Sequence, residues 1–262
     1  TDYTDKKTLT YGEFAERIAM LHELYRRCGV KRGEKIALIG KNTSEWITIF
    51  IGTITYGAVI VPILQEFNPN DVQHIVNHSG SVLMFSSNSI WENLDASSLK
   101  NIRAVISLDD NKILAQRTGE NISAELDSLS KNFYALHKNV FNRSCLRFAD
   151  VSNREVMIIN YTSGTTGFSK GVMITGNNIA GNVVFGIKQN LHYKGSRCLS
   201  FLPLAHAYGC AFDLLTPLAV GTHITLLGRI PSPKIILKAM AEVKPNLIIC
   251  VPLILEKIYR KQ

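Results

Sequence analysis

Short apolar runs alternate along the chain with segments whose apolar residues recur every three or four positions. The first helical segment is 14–25, and Thr10 and Glu13 in front of it have the spacing of a capping box. Another helix is predicted to begin at Asn68 and Pro69, because asparagine can cap it and proline is tolerated at its first position. The apolar runs that predict buried strands are 36–39, 58–62, 82–85, 156–159, 198–202, 224–227 and 246–251.

Strand-like runs separated by helices are typical of a parallel sheet that helices cover on both faces. The predicted fold class is therefore α/β, with parallel sheets and helices arranged in layers. Further helices are expected at 44–56, 177–190, 207–218, 232–243 and 253–261.

The chain is predicted to contain two α/β lobes, 1–108 and 151–262. Residues 109–150 are rich in Asn, Ser, Lys and Asp and poor in apolar clusters, so we expect an irregular, partly helical surface excursion or a boundary between lobes. The run 246–251 reads as a central strand that more sheet should follow. A sheet cut there would expose an edge and an apolar face, which favour self-association into an oligomer.

Composition excludes several classes of protein. With 46% apolar and 19% charged residues in 262, the chain has a globular composition. It lacks an apolar run of about 18 residues, the length of a membrane-spanning helix. The five cysteines never form a C-x-x-C pair, which indicates reduced thiols in a cytoplasmic protein.

Positive charge is concentrated in the second part of the chain. Residues 1–150 hold 17 Lys and Arg against 17 Asp and Glu, whereas residues 151–262 hold 12 against 4. This imbalance favours an anionic partner such as nucleic acid, a membrane surface or a polyphosphate, unless it is only a solvated surface. Nucleic acid is disfavoured, because the basic residues are spread out and not interleaved with aromatic residues.

The strongest chemical signal is the segment 162–171, Thr-Ser-Gly-Thr-Thr-Gly-Phe-Ser-Lys-Gly. Its glycines let successive backbone N–H groups point inward and form an anion-binding nest. Its hydroxyl groups add donors for phosphate oxygens or ligands for a metal ion, and Lys170 adds a positive charge. A Walker A loop is excluded, because that motif needs Gly in place of Ser169 and Ser or Thr in place of Gly171. The segment predicts a loop that binds a polyphosphate.

Residues 161–172 resemble the AMP-binding signature of the adenylate-forming enzymes, a family of acyl-CoA synthetases, peptide-synthetase adenylation domains and luciferases. Other stretches resemble the family's motifs in the same order. Residues 57–62 resemble its G-A-x-x-V-P strand, 201–209 its P-L-x-H segment, and 251–259 the V-P-x-x-x-E-K-I-Y run of long-chain acyl-CoA synthetases. One departure is Ser169, where the family usually has proline.

A second departure concerns what the chain does not contain. The family's adenine and magnesium motif, its ribose aspartate and the catalytic lysine of its mobile C-terminal domain have no counterpart in residues 1–262. The resemblance therefore implies the first part of the large N-terminal domain of an adenylate-forming enzyme, without the C-terminal lid. We expect this fragment to be inactive by itself.

The resemblance implies an ATP-dependent fatty acid–CoA ligase that uses ATP, Mg²⁺ and coenzyme A. Such an enzyme adenylates a carboxylate and then transfers the acyl group to the CoA thiol. The alternatives are a ligase for aryl or short-chain acids and a non-catalytic module that binds a nucleotide or an acyl group. A lipid substrate also allows peripheral contact of a cytoplasmic protein with the inner face of a membrane.

The resemblance also implies roles for individual residues. His206 is assigned as catalytic, near the substrate carboxylate or the mouth of the acyl channel, and Tyr208 and Gly209 join it in the acyl pocket. The alternative for His206 is a core histidine whose ring nitrogens are satisfied within the fold. Ser163 is the candidate magnesium ligand. The residues assigned to the phosphates of ATP are Thr162, Ser163, Gly164, Thr165, Thr166, Gly167 and Lys170.

His74 and His78 are four residues apart on a predicted helix, which is a spacing that could hold a metal ion. No third ligand or Glu pattern accompanies them. We therefore expect them to lie on an exposed helix face.

Overall fold

The computed structural model describes residues 1–137, 140–162, 170–229 and 231–260. Contacts divide the chain into two compact units. The first unit comprises residues 9–40 and 45–176, and the second comprises residues 1–8, 41–44 and 177–262.

The first unit is built on a mostly parallel sheet. Its strands are β1 (Lys35–Ile39), β2 (Val59–Ile63), β3 (Leu83–Ser86), β4 (Ala104–Ser107), β5 (Ile113–Gln116), β6 (Val156–Thr162) and β7 (Lys170–Thr175). Within the described residues their order is β5-β4-β3-β1-β2-β6-β7. Among the strand pairs that the structure describes in this sheet, β4–β5 and β6–β7 are antiparallel and the others are parallel. Together with the helices listed next, this sheet confirms the predicted α/β class.

Three helices of this region begin where the sequence predicts: α1 (Tyr11–Arg27), α2 (Ser44–Tyr56) and α3 (Pro69–Ser79). The sequence did not predict α4 (Asn88–Trp91), and α5 (Ile122–Leu136) lies in the segment that was expected to be only partly helical. The capping box is present: the Glu13 N–H donates to Thr10 Oγ1 at 3.1 Å, and the Thr10 N–H donates to Glu13 Oε2 at 2.7 Å. Asn68 caps α3 by accepting the Asp71 N–H at 3.0 Å.

Burial of β1 explains its continuous apolar sequence. Residues 36–39 have no exposed surface, because neighbouring strands and helices cover both faces of the sheet. Trp46 and Phe50 of α2 are also buried and stack on each other, with ring centroids 5.2 Å apart. These aromatic residues therefore belong to the core.

The second unit contains a small parallel sheet. Its strands are β8 (Arg197–Ser200) and β9 (His223–Leu226), and its helices are α6 (Gly176–Lys188), α7 (Ala207–Gly209), α8 (Thr216–Val220), α9 (Pro233–Val243) and α10 (Pro252–Tyr259). A π-helical turn, Cys210–Leu215, joins α7 to α8. Leu199, Phe201, Leu227, Ile236 and Ala239 form the centre of its core.

The prediction of a strand at 246–251 is wrong. Only Leu247 pairs there, in an isolated bridge with Cys198. At the start of this segment, Asn246 bonds to β8 through its backbone and its side chain: its N–H donates to the Arg197 carbonyl at 2.8 Å, and its Oδ1 accepts the Arg197 N–H at 2.9 Å. That N–H is then no longer available to a backbone carbonyl of a neighbouring strand.

The division into units falls after Gly176, whereas the sequence led us to expect a lobe boundary at residue 151. Two features place 109–176 with the first unit: β5 pairs with β4, and β6 joins the sheet beside β2 through Ile60 and Ile158. The strand β7 was not predicted. It lies at the edge of this sheet, and Val172 and Met173 on it are exposed.

We predict that Thr10→Ala lowers the free energy of unfolding by about 1 kcal/mol, because it removes the side-chain cap of α1. Thr10→Ser keeps the hydroxyl and should cost much less. Urea unfolding of the two variants measures the difference, and equal losses would show that the cap does not stabilise α1.

Candidate functional site

The predicted phosphate-binding residues fall on the connection between β6 and β7. Thr162 is the last residue of β6 and Lys170 the first of β7, and the two face each other across the antiparallel pair. Facing residues in such a pair lie about 5 Å apart. Ser163, Gly164, Thr165, Thr166 and Gly167 lie outside the described residues.

Strand direction places this pair at one particular edge of the sheet. β6 is parallel to β2, so Thr162 lies at the carboxyl edge, where β2 ends at Ile63. In open α/β sheets this is the edge at which ligands bind. The position of Thr162 and Lys170 is therefore suited to a ligand held by the intervening segment.

Lys170 and Thr162 are both exposed at this edge. Within the described part of the chain, Lys170 forms no ion pair with an acidic residue. Its ammonium group is a positive charge that can attract an anion, and the Thr162 hydroxyl is a nearby donor.

His206, Tyr208 and Gly209 lie together in the second unit, at the start of α7. His206 is exposed rather than part of the core, and its Nδ1 accepts the Tyr208 N–H at 3.3 Å. A neutral imidazole that accepts at Nδ1 carries its proton on Nε2. His206 therefore presents an N–H donor, with its ring oriented by the helix cap.

An aromatic surface adjoins this turn. The Tyr208 ring contacts Phe212 at a centroid distance of 5.4 Å, and Phe212 contacts Phe185 of α6 at 6.3 Å. Tyr208 and Phe185 remain 42% and 54% exposed. Such a surface can contact the apolar part of a ligand.

Gly209 is required by a close approach of the backbone. A Cβ atom at this position would lie 2.6 Å from the carbonyl oxygen of Pro203. Since that oxygen belongs to the backbone, it cannot move aside as the end of a side chain could. The glycine lets α7 pack directly on the segment that follows β8.

Asp213 is a feature that we did not single out from the sequence. It is 1% exposed, and neither carboxylate oxygen has a partner in good hydrogen-bonding geometry among the described residues. Burial raises its pKa to about 8, and the nearby N–H groups of Leu202 and Phe201 and the Ser200 hydroxyl only partly oppose this shift. The available signal was its position as the one charged residue in the apolar segment 207–220.

The predicted helix 207–218 is interrupted at this point. The π-helical turn contains Asp213, and the Thr216 hydroxyl donates to the Ala211 carbonyl at 2.8 Å. Pro217 has no N–H to donate to the carbonyl of Asp213. Both features disturb the regular hydrogen bonding of an α-helix in a segment that the apolar pattern predicted as regular.

No evidence for a metal site comes from the described residues. Among them, no group of three or more His, Cys, Asp or Glu side chains is placed to hold a metal ion. The candidate magnesium ligand Ser163 is not one of them. His74 and His78 are exposed, as expected.

The described part of the chain also contains no helix that is long and apolar enough to cross a bilayer.

The geometry defines an α/β protein with a glycine- and hydroxyl-rich segment between two strands, at the sheet edge where such proteins bind ligands. The family model for the AMP-binding enzymes matches residues 1–262, and the chain belongs to that family. The resemblance inferred from 161–172 is thereby confirmed.

Two curated relatives illustrate the range of the family. The chain is 26% identical over 262 residues to long chain acyl-CoA synthetase 5 of Arabidopsis thaliana. It is 28% identical over 229 residues to 4-coumarate-CoA ligase 1 of Narcissus pseudonarcissus. The matches cover 95% and 85% of this chain but only 38% and 39% of the relatives.

The fold is similar to that of ATP-bound MatB from Rhodopseudomonas palustris. The TM-score is 0.75 at 19% sequence identity, over 97% of this chain and 46% of the MatB chain. This similarity shows the fold that the two proteins share.

We predict that Gly209→Ala destabilises the chain by about 1–3 kcal/mol, because the added methyl group overlaps the Pro203 carbonyl oxygen. Gly181→Ala in α6 is the matched control, since a Cβ there meets no atom within 4 Å. The control should be neutral or slightly stabilising. Thermal unfolding of both variants provides the comparison, and equal stability would contradict the close approach.

A second prediction concerns the pH dependence of stability. An unfolded aspartate titrates near about 3.9, whereas the pKa of folded Asp213 is about 8. Between these values the folded chain holds one more proton than the unfolded chain. The free energy of unfolding should therefore fall with rising pH, by up to about 1.4 kcal/mol per pH unit from this group.

Asp213→Asn cannot titrate, so its stability should fall less between about pH 5 and about pH 7.5. Urea unfolding followed by far-ultraviolet circular dichroism at both pH values tests this. The same pH dependence in the wild-type chain and the variant would show that Asp213 is ionised in the folded state.

Proposed function

We propose that the protein containing this chain is an ATP-dependent fatty acid–CoA ligase of the long-chain acyl-CoA synthetase type. The observation that carries the proposal is the pairing of Thr162 with Lys170 at the two ends of the glycine- and hydroxyl-rich segment. Family membership and the similarity to long chain acyl-CoA synthetase 5 support it. Because the chain spans less than two fifths of that relative's length, the activity is proposed for the whole protein.

In the proposed reaction, a fatty acid carboxylate oxygen attacks the α-phosphorus of ATP. A P–O bond forms, the bond between the α-phosphorus and its bridging oxygen to the β-phosphate breaks, and pyrophosphate leaves with the electron pair. The CoA thiolate then attacks the acyl carbon of the acyl-adenylate, and AMP leaves. A carboxylate is ionised at neutral pH, so the first step needs positioning and charge neutralisation rather than a general base.

The loop residues are proposed to hold the phosphates. Lys170 places its ammonium group against the pyrophosphate oxygens, and Thr162 donates its hydroxyl to the same group. The other proposed contacts come from Ser163, Gly164, Thr165, Thr166 and Gly167. Mg²⁺ would neutralise further phosphate charge, and the Ser163 hydroxyl is an oxygen ligand of the kind it prefers.

His206 is proposed to contact the substrate carboxylate. Because its Nδ1 is engaged by the Tyr208 N–H, its Nε2–H is the group available to donate to a carboxylate oxygen. Tyr208 and Gly209 would then line the adjoining acyl pocket. In this role His206 orients the nucleophile and need not exchange a proton with it.

A ligase for aryl acids is the second candidate. It is favoured by the similarity to 4-coumarate-CoA ligase 1 and by the aromatic surface of Tyr208, Phe212 and Phe185, which can pack against an aromatic ring. ATP–pyrophosphate exchange by the full-length protein with palmitate, butyrate and 4-coumarate distinguishes the candidates. Exchange that depends on palmitate supports the proposal, exchange that depends only on the other acids replaces it, and no exchange with any acid favours a non-catalytic binding module.

In the full-length protein, Lys170→Ala should lower the rate of ATP–pyrophosphate exchange by about 10²-fold or more, because a preorganised charge on the phosphates is lost. Transfer of the acyl group from preformed acyl-adenylate to CoA should change far less. Lys131→Ala, which removes an exposed lysine of α5, is the control and should leave both steps unchanged. Equal slowing of both steps by Lys170→Ala would contradict the assignment.

A further inference from the structure

A tyrosine buried beside the candidate site connects the sheet to α3. Tyr161 directly precedes Thr162, is 6% exposed, and packs among apolar residues of the sheet and of α3. Among its neighbours in this cluster are Val72, Ile75 and Val76 on the inner face of α3. The end of β6 is thus fixed by core packing one residue before the loop begins.

The Tyr161 hydroxyl has a specific partner on the same helix. Its Oη lies 2.7 Å from Nδ1 of His78, and the two rings meet edge to face at a centroid distance of 5.8 Å. Burial raises the pKa of Tyr161, so the phenol keeps its proton near neutral pH. It can therefore donate to Nδ1 of a neutral His78.

The same tyrosine ring also fixes the returning strand. Gly171, which follows Lys170, faces Tyr161 across the β6–β7 pair. A Cβ at Gly171 would lie 3.1 Å from Tyr161 Cζ and 3.0 Å from Ile159 Cγ2. The Tyr161 ring therefore lies so close to β7 that a side chain at position 171 would have to displace the ring.

These contacts join both ends of the loop to one helix. Tyr161 adjoins Thr162 on β6, and its ring supports Gly171 beside Lys170 on β7. We propose that His78 and Tyr161 are positioning residues, which fix Thr162 and Lys170 relative to each other for phosphate binding. This inference rests on the proposed function, because it assigns the two residues to the ATP side of that reaction and not to the acid side.

The test compares variants of the full-length protein in ATP–pyrophosphate exchange. Tyr161→Phe and His78→Leu remove the hydrogen bond, and each should raise the KM for ATP about three- to tenfold, as expected for loss of one neutral hydrogen bond. The KM for the acid should stay within twofold of wild type. His78→Asn places an amide oxygen near the position of Nδ1 and should restore most of the affinity for ATP.

Two further comparisons separate positioning from general destabilisation. Tyr134→Phe removes a tyrosine hydroxyl that donates to Glu16 at 2.7 Å in the same unit, and it should leave the KM for ATP unchanged. The double variant Tyr161→Phe/His78→Leu should be no worse than the more severe single variant, because both remove the same bond. Additive losses, or equal increases in both KM values, would overturn the proposal.

Hydrogen–deuterium exchange of the same full-length proteins does not depend on catalysis. Amides of 156–162 and 170–175 should exchange faster in Tyr161→Phe and His78→Leu than in wild type, and at the wild-type rate in His78→Asn. If no acid supports ATP–pyrophosphate exchange but this amide pattern is found, the proposed function fails while the structural coupling stands. Wild-type exchange rates at these amides in all variants would overturn the positioning role whether or not the protein is a ligase.

Discussion

The antiparallel pairing of β6 with β7 is the interaction on which the candidate site depends. β6 joins the parallel sheet beside β2 and brings Thr162 to the carboxyl edge, and β7 returns with Lys170 directly opposite. Backbone hydrogen bonds set this register, so Lys170 needs no ion pair to reach its place.

Residues of the buried core support the β6–β7 pair. Tyr161 is buried between the sheet and α3, and its ring occupies the space that the missing side chain of Gly171 leaves. The exposed residues Thr162 and Lys170 thus adjoin a buried apolar cluster. Close packing tolerates small displacements poorly, which makes the core a suitable base for groups whose spacing matters.

The second unit combines a glycine that permits close packing with a buried aspartate. Gly209 allows a close backbone approach at Pro203, and the irregular turn that follows buries Asp213, whose carboxylate has no well-aligned hydrogen-bond partner among the described residues. A carboxyl group in this position is retained as the neutral acid, because ionisation in an apolar interior is costly. His206 lies at the exposed start of the same segment. The regular helix α8 begins only at Thr216, after the π-helical turn.

The sequence by itself determined the fold class, the starts of α1 and α3, and the family. These depend on local rules: a capping box acts within four residues, a buried strand needs a continuous apolar run, and the loop motif is contiguous. Only the tertiary structure decided that β6 pairs with β2, that β7 returns along β6, and that 246–251 forms a single bridge. It also decided that His78, on an exposed helix face, bonds with the buried Tyr161. Each of these depends on pairing between distant segments, and neither periodicity nor spacing along the chain encodes which partner a strand edge or a ring nitrogen will meet.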